Sequence, residues 1–133
     1  MKSYKGSFVK IQARYSETDQ GGRIYHGAYL PWLEMARLNF FKNHSIDYVQ
    51  LEKKDIFIVV RKLEIEYFAS AFYDNEYLVY VEKVEINGIK LDFFYRIEDN
   101  ISCKIIIKAY TQLVLVNKQG KPIKIPTEII KLF

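Results

Sequence analysis

One change of hydrophobic period constrains this chain more than any other feature. Apolar residues recur at helical spacing in one place, as Tyr29, Leu33, Ala36 and Phe40, with Trp32, Met35 and Leu38 widening the stripe. Pro31 suits an early helical position, where its missing N–H costs no hydrogen bond. The spacing therefore predicts a helix over residues 28–43. Its apolar surface is so broad that other elements must largely enclose it.

The flanking segments alternate with the period of a strand. Val9, Ile11, Ala13 and Tyr15 oppose Lys10, Gln12 and Arg14, which predicts a half-buried strand over 8–15. His44 to Asp55 reads as a polar connection with room for a short helical turn. From residue 56 onward strands are predicted. Leu63, Ile65 and Tyr67 alternate with Lys62, Glu64 and Glu66, and Leu78, Tyr80, Val84 and Ile86 are expected on one face around Glu82. Asn87-Gly88 predicts a type I′ hairpin. Ile89, Leu91, Phe93, Tyr95 and Ile97 then alternate with Lys90, Asp92, Arg96 and Glu98. Glu98-Asp99-Asn100 makes the next turn. Ile101 to Val116 reads as one long strand, ended by Lys118-Gln119-Gly120-Lys121-Pro122. The expected fold class is α+β: an antiparallel meander of about five strands, curled around one long helix.

At 133 residues, 50% hydrophobic and 27% charged, the chain suits a single domain, 1–133, able to build a core without disulfides or a structural metal. Cys103, the one cysteine, sits in an apolar run and is expected to pack as a small hydrophobe. Met1 to Lys5 show no apolar signal core, and no apolar stretch is long enough to span a bilayer, so a cytoplasmic location is expected. A net charge of +4 suits a polyanion, either nucleic acid or the phosphates of coenzyme A. The lysines are scattered along strand faces, so charge alone does not choose. Aromatic strand faces also suit a single-strand nucleic-acid binder, but no RNP-like Gly-aromatic motif is present.

The chemistry concentrates between the first strand and the helix, where Glu17, Asp19, Gly21, Gly22 and His26 lie together in sequence. A loop feeding a helix N-terminus presents unpaired N–H groups and positive potential, which stabilise an oxyanion. The glycine pair lets the backbone return the Asp19 carboxylate toward that end. A carboxylate there can attack a carbonyl or deprotonate a water that does. Either route needs an activated carbonyl, and a thioester supplies one because its thiol leaves readily. The structural readings stand beside this: Asp19 as a turn former, and His26 as a cap. The two histidines have no metal-ligand spacing. Glu34 and Arg37 are expected to form an i, i+3 ion pair, or, if enclosed, to need other partners. Arg61-Lys62 and Lys53-Lys54 can meet a phosphate, or water.

The run Tyr15, Glu17, Thr18, Asp19, Gly22, Ile24, Tyr25, His26 and Tyr29, followed by Glu34 and Arg37, resembles the hot-dog-fold thioesterases of the 4-hydroxybenzoyl-CoA thioesterase family, in particular the Tol-Pal-associated acyl-CoA thioesterase branch. Ile65 to Ala71 and Asp74 match a second family pattern, with Ser70 where the family usually has Pro. The resemblance implies hydrolysis of short- to medium-chain or aromatic acyl-CoA, without a cofactor. It implies Asp19 as the catalytic carboxylate, nucleophile or general base, and the His26 N–H as oxyanion donor. Gly22 and Tyr25 are expected at the substrate, with Arg61 and Lys62 as candidates for the phosphates. It implies a homodimer or homotetramer with sites at the dimer interface. Acyl carrier protein is the alternative carrier, and a non-catalytic acyl-CoA sensor the alternative class. A hydratase ranks lower, because Asp19 to His26 is longer than the hydratase spacing.

Overall fold

In the computed structural model, residues 7–132 are described; Met1 to Lys5, Gly6 and Phe133 lie outside them. Strand β1 (Phe8–Gln12) leads through two 3-10 turns, Tyr15–Glu17 and His26–Ala28, into helix α1 (Tyr29–Asn43). A short helix α2 (Tyr48–Lys53) follows, then β2 (Phe57–Tyr67), β3 (Glu76–Asn87), β4 (Lys90–Asp99), β5 (Ile105–Val116) and a closing turn of helix, α3 (Thr127–Ile130). The predicted long helix is present, and the expected turn of helix in the connection is α2. The first strand is shorter than expected. It stops at Gln12 because the chain turns at Tyr15, whose side chain is 75% exposed.

The five strands form one antiparallel sheet in the order β1-β3-β4-β5-β2. Helix α1 is laid across it, the hot-dog arrangement. Tyr29, Trp32, Leu33, Ala36, Phe40 and Phe41 are buried on the helix, against Tyr77, Val79 and Val81 of β3 and Leu91, Phe93, Tyr95 and Ile97 of β4. Phe40 meets Phe93 edge-on at 5.3 Å, and Trp32 stacks on Tyr77 at 5.8 Å. Full burial of each such ring stabilises the fold by about 1.5–3 kcal/mol. Enclosure of α1 is incomplete, since Leu30, Met35 and Leu38 remain exposed.

Several expectations are corrected. The strands from residue 56 do not run as a simple meander, because β2 pairs with β5 at the far edge and the chain then crosses to β3. On β3 the buried face is Tyr77, Val79 and Val81, with Val84 joining them, rather than Leu78, Tyr80, Val84 and Ile86. A bulge between Val81 and Lys83 causes this: the extra residue, Glu82, reverses the phase of alternation. The hairpin loop is Gly88-Ile89, between Asn87 and Lys90, with φ positive at Gly88 but not at Ile89. That is the type II′ pattern, since type I′ needs positive φ at both central residues. Finally, β5 begins at Ile105. Ile101 is 93% exposed, and Cys103 is exposed in a left-handed turn (φ 61°) rather than packed.

Candidate active site

The loop between β1 and α1 is tied down at nearly every residue. Glu17 is its anchor: Oε1 accepts from the Arg14 N–H (2.8 Å), and Oε2 accepts from the indole N–H of buried Trp32 (2.7 Å). The Thr18 hydroxyl donates to the Tyr15 carbonyl (2.7 Å). The Asp19 N–H donates to the Arg23 carbonyl (2.8 Å), closing a tight loop in which Gly21 and Gly22 take φ of 86° and 76°. Side chains rarely adopt those angles, so the glycine pair is what lets the loop close. Tyr25 N–H returns to the Glu17 carbonyl (2.8 Å), and Ile24 N–H reaches the Ala71 carbonyl (2.9 Å).

These ties set Asp19 and His26 on the rim of one cavity of about 340 Å³, with Arg23, Tyr29, Tyr67 and Ser70. Tyr67 donates its hydroxyl to the His26 carbonyl (3.0 Å), joining β2 to the start of the helix. Ala71 N–H donates to the Tyr29 hydroxyl (3.1 Å). Burial raises the Tyr29 pKa above its ordinary value, against the lowering effect of that hydrogen bond, so the phenol stays neutral at working pH. The His26 N–H makes no hydrogen bond among the described residues and opens the helical run toward α1.

The remaining expected residues are dispersed. The Tyr25 ring lies tilted against the His26 ring, with centroids 4.4 Å apart, and Tyr25 is 49% exposed. Gly22 acts through its backbone, its carbonyl accepting from Tyr73 N–H (2.9 Å). Arg61 and Lys62 are not brought to the Asp19 cavity of the same chain. Arg61 donates to the Gln112 side chain, and Lys62 pairs with Glu64 at 3.2 Å beside a separate cavity on the outer face of the sheet. Lys54 pairs with Glu128 at 3.6 Å. The expected Glu34–Arg37 ion pair is absent among the described residues: Arg37 is buried and donates to the Tyr95 hydroxyl (3.1 Å). Gly27 was not singled out by the sequence, yet a Cβ there would lie 2.8 Å from the Tyr25 ring. Its sequence signal is slight, one glycine beside an aromatic pair.

The sequence profile of the Thioesterase-like superfamily matches residues 13–133. The chain belongs to this superfamily. It is 34% identical over 116 residues to the putative acyl-CoA thioesterase YneP of Bacillus subtilis, covering 86% of this chain and 83% of that one. The acyl-CoA thioester hydrolase YbgC of Escherichia coli is 30% identical over 124 residues, 92% of each chain. Among solved structures, the DHNA-CoA thioesterase of Staphylococcus aureus is 33% identical with a TM-score of 0.81, over 89% of this chain and 79% of that one. A protein of Aquifex aeolicus, at 24% identity, shares the fold with a TM-score of 0.87 over 94% of this chain and 97% of its own. Among the described residues no helix is long and apolar enough to cross a membrane.

Proposed function

We propose that this thioesterase-superfamily protein hydrolyses short- to medium-chain or aromatic acyl-CoA to the free acid and coenzyme A, with Asp19 as its reactive carboxylate. The observation that carries the reading is the single cavity rimmed by Asp19, His26 and Tyr29 at the start of the long helical run. A thioester carbonyl seated there faces a carboxylate on one side and the free His26 N–H on the other. As general base, Asp19 takes a proton from water while the water oxygen bonds to the carbonyl carbon. As nucleophile, its own oxygen forms that bond, and water then cleaves the resulting anhydride. In both routes the carbonyl oxygen gains negative charge, which the His26 N–H and the helix dipole stabilise. The C–S bond then breaks and coenzyme A leaves as a thiolate, whose pKa of about 8.5 makes a strong general acid unnecessary. No step calls for a cofactor.

The working unit in this reading is a homodimer, with a homotetramer built from it. Support comes from β2, an edge strand whose Val59, Val60, Leu63 and Tyr67 are all exposed. A long apolar edge is a pairing surface. Joining two copies there runs the sheets together and offers Arg61 and Lys62 of each copy to the other's site. One exposed, unpaired thiol, Cys103, suits the reducing cytoplasm. The test is thiol release from a panel of acyl-CoAs beside matched acyl-carrier-protein substrates. Release from the acyl-CoAs is expected; binding without release would make the protein a sensor, and release from the carrier substrates alone would move the substrate class.

A further inference from the structure

Tyr29, the first residue of α1, is only 2% exposed, yet it lines the Asp19 cavity. Its hydroxyl end is the part that meets the cavity, because the phenol oxygen accepts the Ala71 N–H (3.1 Å) and the two residues before Ala71, Ala69 and Ser70, line the same wall. The Ala71 carbonyl in turn accepts the Ile24 N–H (2.9 Å), so the residue that holds the phenol is tied to the loop that carries Asp19. An edge-on contact with Trp32 (5.2 Å) and a tilted one with Tyr67 (5.8 Å) hold the ring. The phenol oxygen therefore has little freedom to move.

A tyrosine hydroxyl both accepts and donates, and only the accepting half is used here. The O–H donates to no acceptor among the described residues; neither Asp19 nor Ser70, at the same cavity, takes it. A buried donor left unpaired costs free energy, so an acceptor belongs beside it. Burial raises the phenol above its ordinary pKa; the Ala71 bond opposes this, while Tyr77, Tyr67 and Asp19 add to it, so the proton is there to be donated. The Asp19 charge thus reaches the phenol without a hydrogen bond between the two. A carboxylate only accepts, and this phenol has only its proton to offer, so whatever joins them must accept from one and donate to the other. Water does both. A thioester oxygen, which only accepts, does not.

We propose that Tyr29 is a further catalytic residue, whose hydroxyl holds the hydrolytic water against the Asp19 carboxylate. The inference rests on Asp19 as the reactive carboxylate and takes the general-base route. The water accepts from Tyr29 and donates to Asp19, which leaves a lone pair for the carbonyl carbon. As the O–C bond forms, the donated proton passes to Asp19 and the carbonyl π pair moves onto its oxygen, beside the His26 N–H. Collapse of that intermediate breaks the C–S bond, whose electron pair leaves with the thiolate, and the acid loses its remaining proton to solvent. Tyr29 keeps its own proton throughout.

The test compares Tyr29→Phe, Asp19→Asn and the parent on hexanoyl-CoA and benzoyl-CoA, with and without added ethanethiol. Tyr29→Phe is expected to lose about 10²-fold in kcat with KM unchanged, because a misplaced water reacts slowly. Acyl transfer to ethanethiol needs no held water, so the ratio of ethyl thioester to free acid is expected to rise by the same factor. An unchanged kcat overturns the inference. A reduced kcat with an unchanged ratio also overturns it, by giving Tyr29 to the carbonyl oxygen or to the fold alone. Turnover by Asp19→Asn at the parent rate overturns the reading of Asp19 itself, whereas its loss beside a parent-like Tyr29→Phe overturns only the inference. A parent that cleaves neither substrate overturns both. Should Tyr29→Phe not fold, difluorotyrosine placed at residue 29 keeps the oxygen for Ala71 but gives up its proton at lower pH. Its activity is expected to fall on the alkaline side at lower pH than the parent's; an alkaline limb matching the parent's overturns the inference.

Discussion

At the scale of single residues, Glu17 organises the site without entering the chemistry proposed for it. Its two oxygens bind the loop at Arg14 and the helix at Trp32, so the loop and α1 move together. Trp32→Phe keeps the stack on Tyr77 but leaves Glu17 short of a donor. A charge-assisted hydrogen bond is worth about 1.5–3 kcal/mol. Urea unfolding of Trp32→Phe is expected to show a loss of that size, with turnover reduced as Asp19 loosens. Gly27 makes a complementary case. Gly27→Ala places a methyl 2.8 Å from the Tyr25 ring and pushes it off His26. Melting and kcat/KM measured together should show a rate loss larger than the small stability change. The tight turn at Gly21-Gly22 and the approach of Asp19 to His26 were legible in the sequence, because a glycine pair and a helix start have local signatures. The sequence did not disclose the Glu17–Trp32 bond or the burial of Arg37, since those depend on which face of α1 meets the sheet. Nor did it expose Cys103: an apolar run resembles a strand until a left-handed turn interrupts it.

At the scale of elements, the misread face of β3 has one cause. A bulge adds a residue that no periodic reading counts, and each of β2 and β3 carries one, at Val60/Lys62 and Val81/Lys83. Strand β4, paired with β5 without such a shift along Lys90 to Ile97, matched its predicted alternation, with Leu91, Phe93, Tyr95 and Ile97 all inward. Its outward residue Asp92 is nonetheless buried, accepting from the Tyr110 hydroxyl (2.7 Å) and the Gln112 amide (3.0 Å) across β5. Burial first, and then Asp92, push the Tyr110 phenol from 10.0 up to about 12. The folded protein therefore holds this proton more tightly than the unfolded chain. The resulting stabilisation is complete below about pH 10 and is lost as pH rises through about 12. Urea unfolding at stepped alkaline pH should show that loss in the parent and a shallower one in Asp92→Asn. On the other side of the sheet, Phe40→Ala removes a ring packed on Phe41 and Phe93. It is expected to cost about 3–5 kcal/mol by the same measurement.

At the scale of the whole molecule, the layer architecture followed from the one change of period, because a single broad apolar helix among strands leaves few ways to cover it. Strand order did not follow, since adjacency in sequence does not say that β2 pairs with β5 rather than β3. The order has a functional consequence: it places Tyr67, at the end of β2, beside His26 and leaves the rest of that edge bare. The Asp19 cavity is thus framed by a loop, a helix start and an edge strand, drawn from distant parts of the chain. The measurement that tests this assignment most directly is thiol release from acyl-CoA by Asp19→Asn beside the parent, with melting and substrate binding recorded for both. Loss of turnover by about 10²–10⁴-fold, with fold and binding retained, is the expected result. Turnover at the parent rate would contradict the assignment of Asp19 as the reactive carboxylate.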